Sequence, residues 1–458
     1  MPQIIGSVST YPARASLAWY LGLIVVGSVL LLQGMSHAVG TAPISLLDSV
    51  FTATSAACVT GLAVRSTEFD FSFAGQLIIL ILIQLGGIGI MTVTSFLMFR
   101  FGGRQGLRTR AVISETLGAN DDTDLQWILS HVIALTVFFE GLGFAILTLR
   151  NLGHSPWRTA VWQALFHSVS AFCNAGFALH DDSLTRFQDD TLVNLTICGL
   201  VIIGGLGFPV ILDLQRSRHS RWQDRWHHLH LHSKLMLIGT FGLTLVGTVS
   251  IAALEWDGLF RDMPAWQRFL AALFHSVSCR TAGFNTVQIG SLTNATLFIS
   301  ILLMAIGAGP CSTGGGFKVS TVMVLLTQAM STFRGRRKLK VFRRTIPRST
   351  VDRATATAML FTVVAAVALT VMLVIEQSDS PHISGDAFFL DAMFEVVSAL
   401  GTVGLSTGMT PNLSVAGKII LIGLMLLGRL GPISVFVALS RRELNDPVVY
   451  PDEEPMIG

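Results

Sequence analysis

The sequence predicts an all-α integral membrane protein of eight transmembrane helices plus four re-entrant half-helices, arranged as four pseudo-symmetric units. Three observations predict it. The chain of 458 residues is 51% hydrophobic and only 13% charged, far more apolar than a soluble protein of this size. Apolar runs of spanning length, about 20 residues each, fall at 17–35, 74–99, 125–149, 191–212, 232–255, 293–330 (interrupted), 353–375 and 414–439. One short stretch occurs four times: Phe51–Leu62 (FTATSAACVTGL), Phe166–Phe177 (FHSVSAFCNAGF), Phe274–Phe284 (FHSVSCRTAGF) and Phe394–Leu405 (FEVVSALGTVGL). Ser55, Ser170, Ser278 and Ser398 align, as do Gly61, Gly176, Gly283 and Gly404, and the third copy is one residue shorter between Ser and Gly.

Each copy falls between two apolar runs, which sets the unit boundaries: 1–110, 111–220, 221–348 and 349–458. The run at 17–35 follows only Arg14. It exceeds the apolar core of a signal peptide and is read as a retained opening helix. The segments at 45–57, 160–172, 266–278 and 386–399 are too short to cross a bilayer. They are expected to be half-helices that enter and leave on one side, buried where their end groups find partners. Each unit has an even number of spans, so successive units enter the membrane in the same orientation. Their symmetry axis then runs along the membrane normal and surrounds a central pore, whereas an odd number would give inverted repeats.

Charge sets the orientation. Of the 31 Lys and Arg, about 21 fall near the N-terminus, in 100–124, 213–234 and 333–353, and in the tail, while about six occupy the alternate loops. Both termini are therefore expected in the cytoplasm and the four repeated stretches near the outer side. The cysteines, at 58, 173, 198, 279 and 311, lie in or beside apolar segments and form no disulfide framework or zinc motif.

The second spans share a small-residue signature: Leu85-Gly86-Gly87-Ile88-Gly89, Ile203-Gly204-Gly205-Leu206-Gly207, Ile306-Gly307-Ala308-Gly309 and Leu427-Gly428-Arg429-Leu430-Gly431. Close helix packing is the plain reading of such a series. Two departures carry more. In the third unit the run Gly309, Pro310, Cys311, Ser312, Thr313, Gly314, Gly315, Gly316 up to Lys318 cannot continue as helix. Irregular backbone at membrane depth must line a cavity or be buried in protein. In the fourth unit Arg429 replaces the small residue, and a cation in mid-span is expected to face the interior and to serve function.

The repeated stretch has a chemistry of its own. A half-helix that enters from outside points its partially negative carbonyl end at the axis, which lowers the energy of a cation there. The residues that follow are Val59, Thr60 and Gly61; Asn174, Ala175 and Gly176; Thr281, Ala282 and Gly283; and Thr402, Val403 and Gly404, none of them acidic. Backbone carbonyls are then the available ligands, and glycine lets the chain turn them inward. A carbonyl ring suits a weakly hydrated monovalent cation such as K+ better than Ca2+ or Mg2+, which call for carboxylates.

These stretches, with Arg280-Thr281-Ala282-Gly283-Phe284-Asn285-Thr286 the most distinctive, resemble the filter motifs of the Trk/Ktr/HKT superfamily of potassium transporters over the whole chain. The eight spans and short N-terminus are similar to the KtrB-type membrane subunit more than to the longer TrkH type. The resemblance implies that Gly61, Gly176, Gly283 and Gly404 are filter glycines; a Ser at the first would imply a sodium preference. It implies that 307–318 is an intramembrane gate, Gly309 to Gly316 acting with the basic Arg429. It further implies a homodimer, to which the tail Tyr450–Gly458 is similar in its contact segment, and a cytoplasmic RCK-type nucleotide-binding ring (KtrA-like) that binds ATP and ADP. Na+ enters as an activator. The chain itself needs no organic cofactor and carries no catalytic site, so it is not read as an enzyme: it has no HExxH and no nucleophile with a matched base.

Other residues have two readings. Arg334–Arg348 contacts the cytoplasmic partner, or serves orientation and lipid headgroups. Arg280 is expected to point behind the filter, neutralised by Glu395 or Asp48. His219–His232 (HSRWQDRWHHLHLH) forms an amphipathic linker, or a metal site through His228 and His232 one turn apart. His167 and His275 are packing or hydrogen-bonding groups on the short helices. Asp181, Asp182, Asp189 and Asp190 draw cations to the mouth or simply solvate the surface. The expected function is a gated passive conduit for K+ in a plasma membrane, by the resemblance a bacterial inner one; an ion-coupled transporter working by alternating access is the rival.

Overall fold

The computed structural model describes residues 12–101, 125–153, 155–217, 224–336, 339–342, 344–376 and 388–431. The tail Tyr450–Gly458, nearly all of the basic segment 100–124, and Arg337, Lys338 and Arg343 of the third basic segment lie outside them.

Helices dominate. α1 (Pro12–Leu32), α2 (Leu46–Ala57) and α3 (Phe73–Phe101) are followed by α4 (Leu125–Asn151), α5 (Trp157–Phe172), α6 (Thr191–Leu206) and α7 (Phe208–Ser217). Next come a single turn α8 (Arg225–His228), α9 (Leu231–Glu255), α10 (Ala265–Ser278), α11 (Asn294–Ala305) and α12 (Val319–Phe333). A two-residue hairpin, β1 (Lys340–Val341) with β2 (Arg344–Thr345), leads into α13 (Arg348–Glu376), α14 (Phe388–Gly401) and α15 (Val415–Leu430). Caps explain several starts: Ser45 accepts from Asp48 N–H, Asp190 from Leu192 and Val193, Thr293 from Thr296 and Ser414 from Gly417.

By length and apolarity three continuous helices among the described residues suffice to span a bilayer: 130–151, 231–255 and 348–376. A fourth is the pair α6 and α7, bent by 95°. The remaining apolar helices are shorter, and the second spans break. α3 carries a non-helical Gly89 at φ 76 and ψ 152, α6 ends on Gly207 at φ 91 and ψ 141, and α15 ends on Gly431 at φ 81 and ψ 133. The sequence placed a break only in the third unit; the chain leaves the helix at the matched glycine in the other three as well. That backbone conformation is open to glycine almost alone, which is why a single residue suffices.

The close-packing reading of the small residues holds for the first glycine in three of the four signatures; in the third, Gly307 stands against Gly315 of the irregular loop. A Cβ on Gly86, Gly204 or Gly428 would run into the carbonyl of Ala57, Phe172 or Leu400, the C-terminal ends of α2, α5 and α14.

The short helices lie at the centre. The leading phenylalanines Phe51, Phe166 and Phe394 are fully buried and Phe274 nearly so. Four apolar clusters join neighbours: α2 and α3 to α5, α5 and α6 to α10, α10 and α11 to α14, and α14 and α15 back to α2. The order of contacts closes on itself. Outside, large apolar side chains stay exposed along the long helices, among them Val25 on α1, Phe138 on α4, Phe241 on α9 and Val367 on α13. A hydrocarbon surround makes such a surface favourable where water would not.

Leu339 and Ile346 flank the hairpin and pack on Val324 of α12 and Ala354 of α13. Lys234 lies 5.9 Å from the ring centres of both Trp226 and Phe342. The His-rich linker departs from expectation. α8 ends at His228 and Leu229 is extended, so His228 and His232 do not stand one turn apart on one helix. His230 instead bonds Asp213 at 2.7 Å, and among the described residues no group of three His, Cys, Asp or Glu could hold a metal.

Candidate functional site

At the end of each short helix the backbone makes the same manoeuvre. Val59, Asn174, Thr281 and Thr402 take positive φ of 57°, 60°, 66° and 49°, and the glycines two positions later follow at 97°, 70°, 76° and 92°. Three of the four first positions are β-branched, for which this region is costly. The helix ends impose it. Val59, Asn174, Arg280 and Thr402 N–H each donate to the carbonyl three residues back at 3.1 Å. Thr60, Ala175 and Val403 N–H donate to the Ser55, Ser170 and Ser398 carbonyls five residues back at 2.8 Å, the Schellman pattern. In the third copy, shorter by one, Ala282 donates to Ser278 four residues back at 3.0 Å instead.

The aligned serines explain their recurrence. Ser170 and Ser398 hydroxyls donate to the Phe177 and Leu405 carbonyls at 2.7 Å, and Ser278 does the same to Phe284. Ser55 and Ser398 accept from Gly61 and Gly404 N–H at 3.0 and 3.1 Å. Each serine thus ties the helix end to the extended strand beyond it.

The four glycines face one another in closing order. A Cβ on Gly61 would meet the Ala175 carbonyl, and one on Gly176 would lie 2.8 Å from Gly283 Cα. A Cβ on Gly283 would lie 2.5 Å from the Val403 carbonyl, and one on Gly404 would meet the Thr60 carbonyl. Thr60, Ala175, Ala282 and Val403 are therefore brought together with all four glycines, backbone against backbone.

Directly beneath runs the irregular chain between α11 and α12. Gly314 stands against the Thr281 hydroxyl and Gly315 against that of Thr402, whose Oγ1 accepts from Gly315 N–H at 3.1 Å. Gly316 abuts the Gly401 carbonyl. The loop is anchored on α6: Gly309 N–H donates to Gly205 and Thr313 N–H to Gly204, while the Thr313 hydroxyl donates to the Phe172 carbonyl at 3.1 Å. Pro310 and Cys311 lie against the Gly207 bend, where Phe208 N–H donates to the Cys311 carbonyl at 3.2 Å. Ser312 Oγ closes the turn onto the Gly309 carbonyl at 2.6 Å.

Arg429 reaches this loop. Its guanidinium donates to the carbonyls of Thr313 and Gly86, and its Nε to the Tyr20 hydroxyl at 3.0 Å. Lys318 donates to the Gly314 and Gly315 carbonyls at 2.8 and 3.3 Å. Sequence reasoning did not single out Tyr20 or the contacts of Lys318. The only hint was a polar phenol inside the first apolar run.

Arg280 corrects one expectation. It turns onto α9, donating to the Thr240 carbonyl at 3.2 Å and the Thr244 hydroxyl at 3.1 Å, and among the described residues no carboxylate pairs with it. Asp48 pairs with Arg65 and Lys418 instead, and Glu395 binds Ser406, Thr407 and Thr410. Uncharged dipoles thus meet the terminal nitrogens of Arg280, while its Nε is buried without a hydrogen-bond partner among the described residues. His167 and His275 are hydrogen-bonding groups as expected, the one to Leu179 N–H at 3.1 Å and the other to Ser300 at 2.9 Å. In the acidic loop, Asp190 caps α6 and pairs with Arg150, and Asp182 pairs with Arg186, so both have structural partners.

A closed circle of helix ends around four glycines, with apolar helices outside, is the architecture of a membrane transport protein. Residues 14–445 match the TrkH family model, described as cation transport protein, and the chain belongs to that family. It is 39% identical to Ktr system potassium uptake protein B of Vibrio alginolyticus, covering 97% of this chain and 94% of the relative. The protein of the same title from Bacillus subtilis is 35% identical, with 98% and 97% covered. Potassium/sodium uptake protein NtpJ of Enterococcus hirae is 34% identical, with 98% and 97% covered. Among solved structures, the potassium transporter TrkH from Vibrio parahaemolyticus has the same fold, with a TM-score of 0.68 at 19% identity over 93% of this chain and 84% of that one. Members of the family are transporters and not enzymes.

Proposed function

We propose that this chain is the ion-translocating membrane subunit of a potassium uptake system. The observation that carries the reading is the closing order of Gly61, Gly176, Gly283 and Gly404, each against the carbonyl before the next. In this reading the four units are repeats around one pore. Carbonyls of Val59 to Gly61, Asn174 to Gly176, Thr281 to Gly283 and Thr402 to Gly404 replace the hydration shell of K+, the permeant ion. The convergent C-terminal ends of α2, α5, α10 and α14 supply partial negative charge.

Below the filter, Gly309 to Gly316 obstruct the path, held by Arg429 through the Thr313 carbonyl and by Lys318 through Gly314 and Gly315. Opening requires these bonds to be released together. The titles of the Vibrio and Bacillus relatives name a Ktr system, which supports a partner. We assign it to an RCK-type cytoplasmic ring, approached through Arg334–Arg348, with the subunit a homodimer. The protein is multi-pass in the plasma membrane, with both termini cytoplasmic. The Enterococcus relative's title pairs potassium with sodium, so Na+ is the ion to test as competitor and activator.

The deciding experiment is K+ uptake into liposomes containing the purified chain, with Na+ as competitor and Gly283→Ser beside the unaltered protein. Selective uptake that is lost or relaxed in the variant supports the filter. Robust uptake indifferent to the substitution places the filter elsewhere.

A further inference from the structure

Position for position, Thr52, His167, His275 and Glu395 occupy the same place in the four short helices, one residue after the leading phenylalanine. Their side chains do different things. Glu395 is fully buried, and its carboxylate accepts from Thr407 N–H at 3.2 Å, from the Ser406 hydroxyl at 2.5 Å and from the Thr410 hydroxyl at 2.6 Å. His167 accepts from Leu179 N–H at 3.1 Å. Both bonded amides lie three residues beyond the filter glycine, Thr407 after Gly404 and Leu179 after Gly176. A side chain on the helix thus holds the strand that leaves the filter, at the same distance past it, in the second and fourth units.

The first and third units lack this tie. His275 turns to Ser300 of α11 at 2.9 Å, and the Thr52 hydroxyl has no hydrogen-bond partner among the described residues. Because the glycines close in the order 61, 176, 283, 404, the tied units face each other across the centre and the untied ones face each other likewise. The tie from this helix position is twofold where the backbone is nearly fourfold; the other two strands are held by other groups, Asn285 N–H donating to Ser183 Oγ at 3.2 Å and Arg65 pairing with Asp48 at 2.9 Å.

Building on the filter reading above, we infer that Glu395 and His167 are positioning residues for the outer end of the filter, setting ion selectivity by fixing two opposite exit strands. A buried acceptor bonded to a backbone amide fixes the direction of the carbonyls on either side of it, and a carboxylate does so more firmly than a neutral group. Neither residue touches the ion.

The test compares Glu395→Ala with Glu395→Gln, which keeps an acceptor oxygen. His167→Ala, Ser406→Ala and Gly283→Ser accompany them. All are read as the ratio of K+ to Na+ uptake and as KM against maximal rate in liposomes. The expected result is a ratio relaxed roughly tenfold in Glu395→Ala, the worth of one charge-assisted hydrogen bond. Glu395→Gln recovers most of it. A smaller shift in the same direction follows in His167→Ala and in Ser406→Ala, which at a half-buried position assembles whatever the fate of the others. A ratio unchanged in the Glu395, His167 and Ser406 variants that assemble, with Gly283→Ser altered, overturns the positioning role while leaving the filter in place. Indifference of all, Gly283→Ser included, overturns both.

Discussion

Arg429 and Tyr20 are 409 positions apart in the chain, yet Nε of the first donates to the hydroxyl of the second at 3.0 Å. The phenol in turn donates to the Gly86 carbonyl at 3.2 Å, which Arg429 also binds. The basic side chain is thus held between the opening helix α1 and the loop beneath the glycines. Tyr20→Phe removes one bond to a charged group, worth about 1.5–3 kcal/mol. We expect basal K+ flux in liposomes without any partner to rise, and to rise further in Arg429→Gln. Flux unchanged in both variants would show that this cluster does not restrain the loop.

Lys318 holds the same loop from its other end, through the Gly314 and Gly315 carbonyls. Lys318→Met keeps most of the apolar stem and removes the donor. The expected outcome is a leak of the same kind as in Arg429→Gln, and in the double variant an effect smaller than the sum, because both anchor one segment. Full additivity in the flux assay would mean that the two anchor independent parts.

Glycine substitutions separate backbone strain from crowding. Gly89 sits at φ 76 with nothing within 4 Å of an added Cβ, whereas Gly404 sits at φ 92 with the Thr60 carbonyl in the way. Gly89→Ala should cost about 1–3 kcal/mol, the strain of a backbone conformation that side chains rarely adopt, with no overlap added. Gly404→Ala adds an overlap that the surrounding circle cannot absorb, for a total of roughly 3 kcal/mol or more. Thermal unfolding in detergent measures both, and equal losses would argue that the circle is looser than described.

Asp190 offers a test away from the transport path. It caps α6 through the amides of Leu192 and Val193 and pairs with Arg150 at 2.7 Å. Asp190→Ala should lose about 1–2 kcal/mol. Asp190→Asn keeps the cap and should lose about 1 kcal/mol or less, the worth of a part-exposed ion pair. Melting curves of the two, with uptake intact, check the assignment. Equal losses would mean that the ion pair and not the cap dominates.

The recurrence of Ser and Gly at fixed spacing made the helix ends legible, because one backbone manoeuvre needs the same two residues each time. The single missing residue in the third copy was visible too, and it reappears as a hydrogen bond one residue shorter. The bends at Gly89, Gly207 and Gly431 were not legible as bends. A lone glycine in an apolar run reads equally as a packing contact, and only the dihedral angle distinguishes the two. The partners of Arg280 and Glu395 were missed for a related reason. Sequence pairs charge with charge, whereas the fold gave both of them hydroxyl and backbone partners close at hand. What the sequence could not rank was which of four aligned positions would hold its neighbouring strand.

The closing order of the four glycines comes from one polypeptide. A circle assembled from identical subunits must change every corner at once, since a single gene writes them all. Here Arg429 occurs at one corner, the long irregular loop at another, and the carboxylate of Glu395 at one place of four. A single chain leaves each corner free to vary by itself, so an irregular loop can stand on one side while the four glycines keep their closing order.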